Sequence, residues 1–168
     1  MQVKFLSFIT LNLMSMSSIF AQQPLEISTS ITINATPEQV WEVFNDFATY
    51  ESWNPFLTEV SGEVKTGNTI KINAGGMTFK PEVLVCEERQ ELRWIGKLLV
   101  KGLFDGEHHF VFTENADGTT TLQHGEQFTG LLVPLFKNKL QTETKDGFNK
   151  MNEALKQRVE DKHSCLSI

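Results

Sequence analysis

His108, His124 and Glu126 are the residues of this chain whose types and spacing could do chemistry. Residues two apart on a strand share a face. If Leu122 and Phe128 point inward, so do His124 and Glu126, while His108 joins Phe110 and Phe112 and His109 faces the other way. Two imidazoles and a carboxyl group on one apolar wall can act as acid and base, hold the polar end of a ligand, or satisfy one another and the backbone at a cavity mouth. They are the candidate catalytic residues, with the structural role favoured over catalysis. Two His and one Glu could also hold zinc. Their spacing matches no metal motif, so no metal and no cofactor is expected. The chain carries no nucleophile elbow, phosphate loop or dinucleotide fingerprint.

The wall around this cluster combines Met77, Phe79, Trp94, Phe110 and Phe128. A mostly apolar pocket with a few convergent polar groups is the usual form of a small-molecule site. Trp53 and Phe56 from the preceding turn, and Phe148 and Met151 from the last helix, complete the candidate ligand contacts with His124 and Glu126. For Trp53-Asn54-Pro55, closing the helical pair onto the sheet is favoured over touching a ligand.

The elements that must position these residues can be read in order. Ile27, Thr29, Ile31 and Ile33 alternate with polar residues and predict a strand with one buried face. Thr36, Pro37 and Gln39 form a capping-box helix start, and Val40, Trp41, Phe44 and Phe47 follow at helical spacing. After Trp53-Asn54-Pro55 come Val60, Gly62 and Val64, a Gly67-Asn68 turn, and a strand of Ile70, Ile72 and Ala74 that closes at Gly75-Gly76. Its partner places Met77, Phe79, Pro81, Val83 and Val85 on one face, with Pro81 marking an edge or a bulge. Leu92, Trp94 and Leu98 follow, and a last hairpin, Glu107–Phe112 and Thr119–Phe128, turns at Asp117-Gly118. Two connections, Leu98–Phe104 and Leu131–Phe136, are more apolar than solvated loops; they either pack on each other or form an apolar gate. Leu140, Phe148, Met151, Leu155 and Val159 fall on one stripe of a C-terminal helix spanning Lys139–Lys162, with Gly147 inside it.

Residues 1–21 read as a secretory signal peptide: Lys4, an apolar run from Phe5 to Phe20, and Ala21 before Gln22-Gln23-Pro24. Secretion or export to the periplasm is therefore expected, with a cytoplasmic protein carrying an N-terminal extension as the alternative. Residues 22–168 then form a single domain. Without Lys4 the balance is 14 basic against 21 acidic residues, net −7, which leaves no electrostatic footprint for nucleic acid. Cys86 and Cys165 show no metal spacing and could pair in an oxidising compartment. Cys165-Leu166-Ser167-Ile168 fits a prenylation pattern that competes with export and is disfavoured.

Strand, helical pair, antiparallel meander and long C-terminal helix is the order of an α+β helix-grip fold, in which a curved sheet wraps the last helix. The segments ITINATPEQVWEVFNDFATYESWNPF, MTFKPEVLVCEERQELRWIG, GLFDGEHHFVF and GFNKMNEALKQR resemble the polyketide cyclase/dehydrase-type branch of the START-like (SRPBCC) superfamily, over about residues 26–160. That superfamily also contains the birch-pollen allergen and steroid-transfer domains. The resemblance implies a cavity between sheet and C-terminal helix for a hydrophobic small molecule, such as a lipid, an isoprenoid, a sterol-like or an aromatic compound. Its members share a fold more than an activity. A non-catalytic carrier is the first expectation; an enzyme using His124 and Glu126 and a co-chaperone-like partner module are the alternatives. A monomer with transient membrane contact through the apolar loops is expected.

Overall fold

In the computed structural model, which describes residues 23–98 and 100–164, the chain forms two antiparallel sheets and a C-terminal helical arm. Strand β1 (Leu25–Ile33) leads into helix α1 (Pro37–Phe44) and a short 3₁₀ helix (Phe47–Ser52). Then come β2 (Leu57–Ser61), β3 (Lys71–Ala74), β4 (Met77–Phe79), β5 (Glu82–Glu87), β6 (Glu91–Lys97), β7 (Asp105–Glu114) and β8 (Thr120–Thr129). The arm comprises α2 (Val133–Lys139), a π-helical turn (Leu140–Thr144) and α3 (Lys145–Ser164). The large sheet runs β1-β8-β7-β6-β5 and the small one β2-β3-β4. This is an α+β helix-grip architecture.

Local chemistry accounts for the boundaries. The Thr36 hydroxyl accepts the Gln39 N–H, and the Gln39 side chain accepts the Thr36 N–H, so α1 starts on a complete capping box. Gly75 and Gly76 both have positive φ, 56° and 80°, and turn β3 into β4 in two residues. Val40, Phe44, Tyr50, Phe110, Leu122, Leu155 and Val159 are buried in one core between α1, the large sheet and α3. The Tyr50 hydroxyl donates to the Phe44 carbonyl at 2.5 Å, giving this buried phenol its partner.

Three expectations change. The strand expected to run from Met77 to Val85 is broken at Lys80-Pro81 into β4 and β5, which belong to different sheets, because proline has no N–H to give a ladder. The register shifts again between Val83 and Val85, so that Cys86, not Val85, pairs with Leu92 and packs against the core. The C-terminal arm begins earlier than Lys139: Val133 to Lys139 is already helical, with Pro134 in its first turn.

The signal-peptide reading of 1–21, and Cys165 with its proposed pairing and prenylation motif, lie outside the described residues.

Candidate functional site

Cross-strand register assembles the site. Trp94 on β6 lies opposite His108 on β7, which lies opposite Glu126 on β8; one row along, Phe110, His124 and Thr29 are aligned across β7, β8 and β1. All six project to the concave face, where α3 lays Phe148, Met151 and Asn152 over them. The Trp94 indole stacks on the His108 ring with centroids 5.0 Å apart and planes 11° from parallel. Phe148 stacks on His124 at 4.0 Å and 24°.

The polar groups in this apolar setting form one chain of hydrogen bonds. Glu126 Oε2 and His108 Nδ1 are 3.3 Å apart, His108 Nε2 and His124 Nε2 3.0 Å, and His124 Nδ1 and Asn152 Oδ1 2.8 Å. The Asn152 amide donates to Thr29 Oγ1 at 2.9 Å, and the Thr29 hydroxyl donates to the backbone carbonyl of His124 at 3.0 Å. Burial disfavours every charged form here. It presses His108 down to about 3, helped by nearby His109, and holds His124 well below the usual imidazole value. It pushes Glu126 up to about 8, against the opposing influence of His109. The two facing imidazole nitrogens share one hydrogen, so each is engaged with the other ring.

Beside the cluster is a cavity of about 460 Å³. Its wall includes Phe56, Met77, Phe79, Trp94, Phe110, Phe128 and Met151, with Glu126 and His108 as its deepest polar groups and Lys97, Lys139, Glu143 and Thr144 also on its lining. Gly106 leaves room for the polar end of the cavity: a Cβ there would collide with Glu126 Oε1. Three sequence candidates lie off this wall. His124 is fully buried behind His108, and Phe148 is fully buried between His124 and Phe56. Trp53 faces a separate charged groove of about 600 Å³ beside Glu42, Asp46 and Lys162, with the Arg158 guanidinium 5.9 Å from its ring.

Thr29 and Asn152 belong to the site but were not among the sequence candidates. Thr29 stands on the buried face of β1 and was legible as inward; its role was not, because its partners come from distant segments. Asn152 had a clearer signal: it is a polar residue one helical turn from Phe148, on the stripe of Met151 and Leu155.

The apolar connections meet at the cavity mouth. Leu131 and Leu132 N–H groups donate to Gly102 and Leu103 carbonyls, and Phe104 meets Phe136 edge-on at 5.8 Å. Leu98, Phe104 and Phe136 line the cavity, while Val100, Leu131 and Leu135 stay 63%, 78% and 76% exposed. The segments thus pack on each other and still present apolar side chains to solvent.

A family model described as polyketide cyclase/dehydrase and lipid transport matches residues 24–160, and the chain belongs to that family. No curated protein matches the chain. Among solved structures, protein MLL2253 from Mesorhizobium loti is 21% identical, with 82% of this chain and 98% of that one covered and a TM-score of 0.65. A START superfamily protein from Mycobacterium smegmatis is 18% identical, with 81% and 97% covered and a TM-score of 0.62. The di-domain ARO/CYC StfQ from the steffimycin biosynthetic pathway is 13% identical, with 83% and 53% covered and a TM-score of 0.65. At these identities the likeness shows the fold. Family and fold together support a ligand-binding or cyclase-type role.

Proposed function

We propose that this member of the polyketide cyclase/dehydrase and lipid transport family binds and carries a hydrophobic small molecule in the cavity between sheet and α3 without transforming it. The observation that carries the reading is the pairing of a 460 Å³ apolar cavity with a polar cluster whose nitrogens are engaged within the protein. A general base needs a free lone pair within reach of a substrate proton; here His124 is behind the wall and both His108 nitrogens are occupied. An aromatic or polyene ligand suits a wall of phenylalanines and Trp94.

A second reading, acid catalysis on the bound molecule, draws on Glu126, a carboxyl group at the cavity that burial pushes up to about 8. Entry is proposed at the rim of Leu98, Val100, Leu131 and Leu135, where Lys97, Lys101, Lys137 and Lys139 give an acidic protein a locally basic edge suited to an anionic lipid surface. Export of the chain through residues 1–21 is part of the proposal, and exported protein should begin at or near Gln22.

Native mass spectrometry of protein purified without detergent tests the carrier reading. A co-purified hydrophobic adduct, lost in Ala74→Leu, which fills the cavity from β3, is the expected result. Empty protein whose melting temperature no hydrophobic compound raises would overturn it. Time-dependent conversion of the adduct, abolished in Glu126→Gln, would decide for catalysis.

A further inference from the structure

The chain of polar groups has a direction, and that direction decides what the cavity can recognise. A backbone carbonyl only accepts, so at the His124 carbonyl the Thr29 hydroxyl is the donor. Its oxygen is then the acceptor for the Asn152 amide, which turns Asn152 Oδ1 toward His124. An amide oxygen also only accepts, so His124 Nδ1 carries a hydrogen. With His124 neutral, its Nε2 is a bare lone pair, and the facing His108 Nε2 must carry the hydrogen between them. With His108 neutral in turn, its Nδ1 is bare, and the hydrogen toward Glu126 must come from the carboxyl group. The other arrangement, an imidazolium at His124 and a carboxylate at Glu126, would separate two charges across a buried apolar layer without a counter-charge beside either.

We infer that Thr29 and Asn152 are positioning residues that make Glu126 hold its proton on Oε2 toward His108, and that the cavity therefore selects ligands whose polar end is an uncharged hydroxyl or N–H donor. The acceptor is Glu126 Oε1. This atom makes no hydrogen bond among the described residues and lies over Gly106, itself part of the cavity wall. A ligand ending in a carboxylate would set its negative charge against that bare oxygen, and an ether or hydrocarbon would leave it unpaired. The inference deepens the carrier reading by naming the ligand's polar chemistry, and it rests on that reading.

Three matched probes test it with the intact protein by calorimetry or quenching of Trp94: naphthol, its methyl ether and naphthoate, at mildly acidic pH. Naphthol should bind about fivefold to tenfold more tightly than the ether, the scale of one hydrogen bond, and naphthoate should bind most weakly. Glu126→Gln should keep this order, since an amide can donate to His108 and leave its carbonyl toward the cavity, whereas Glu126→Leu should erase the naphthol advantage. Thr29→Val, which preserves shape, should narrow it while the protein stays folded. Without any ligand, the infrared carbonyl band of a protonated carboxyl group should be present in the native protein and absent in Glu126→Gln. Equal binding of ether and naphthol, or preference for naphthoate, would overturn the selectivity. Failure of all three to bind would overturn the carrier reading and the ligand class with it, and absence of the infrared band would overturn the proton direction independently.

Discussion

Gly147 and Phe56 are a fitted pair: a Cβ on Gly147 would collide with the Phe56 ring, which lies against the bare backbone of α3. Phe56 also lines the cavity and meets Phe148 edge-on at 5.3 Å. Glycine inside a helix costs roughly 1 kcal/mol relative to alanine, and the space it leaves is what lets the aromatic turn after the 3₁₀ helix close on the arm.

Gly147→Ala should therefore destabilise despite its better helix propensity. The ring is held by Phe148 and the cavity wall, and overpacking of such a site costs about 1–3 kcal/mol. Urea unfolding measures the net effect. A stabilised variant would show that the Phe56 ring swings aside freely, and that it is no fixed part of the cavity wall.

Phe148 separates core from cavity. It is fully buried, stacks on His124 and stays off the cavity wall, so Phe148→Ala should lose about 3–5 kcal/mol, the range for an aromatic ring removed from a packed interior. A loss well below 1 kcal/mol, with ligand affinity changed, would place it in the cavity instead.

The fold was legible because its signals are local. The Thr36-Pro37-Gln39 helix start, the Gly75-Gly76 and Asp117-Gly118 turns and the period-two alternation of β1, β7 and β8 each rest on neighbouring residues. Alternation also places His108, His124 and Glu126 on one inward face. It could not rank them by depth: His124 is behind His108 because α3 brings Phe148 and Asn152 down on it, a contact between residues 28 apart in sequence. Trp53 lies off the cavity wall for a similar reason. The turn sends it toward Arg158 on the far side of α3, and nothing in Trp-Asn-Pro encodes that direction. The bulge that exchanges Val85 for Cys86 is invisible to a rule that assumes unbroken alternation.

The exposed rim makes a separable prediction. Leu131 and Leu135 are the two most exposed large apolar side chains among the described residues, and they stand on the segment bearing Lys137 and Lys139. The double change Leu131→Ser, Leu135→Ser removes surface that stabilises nothing in the fold, so the melting temperature should hold. Binding to vesicles rich in anionic lipid should fall several-fold, as should the salt-sensitive binding of a Lys137→Gln, Lys139→Gln variant. Equal vesicle binding by native and substituted proteins would remove the membrane from the proposal.

Stability should pass through a maximum near neutrality, with Glu126 setting the alkaline side. His108, His124 and partly buried His109 all have pKa values lowered by burial from the usual 6.5, so below that pH the unfolded chain binds protons the folded protein refuses. Stability rises with pH through that window. Glu126 acts oppositely. Its carboxyl group, raised from 4.5 to about 8, keeps a proton in the fold that the unfolded chain has released. Its stabilising contribution is complete below pH 4.5 and is lost as pH climbs to 8. Between 4.5 and 6.5 the histidines outweigh the single carboxyl group. From 6.5 to 8 Glu126 acts alone among these groups, and stability should decline by up to about 1.4 kcal/mol per pH unit. In Glu126→Gln, chemical denaturation across pH 6.5–8 should give a flat profile, while the acid limb, owned by the histidines, should remain. An alkaline decline that persists in Glu126→Gln would mean that another group carries it, and that Glu126 is already ionised in the folded protein at neutral pH.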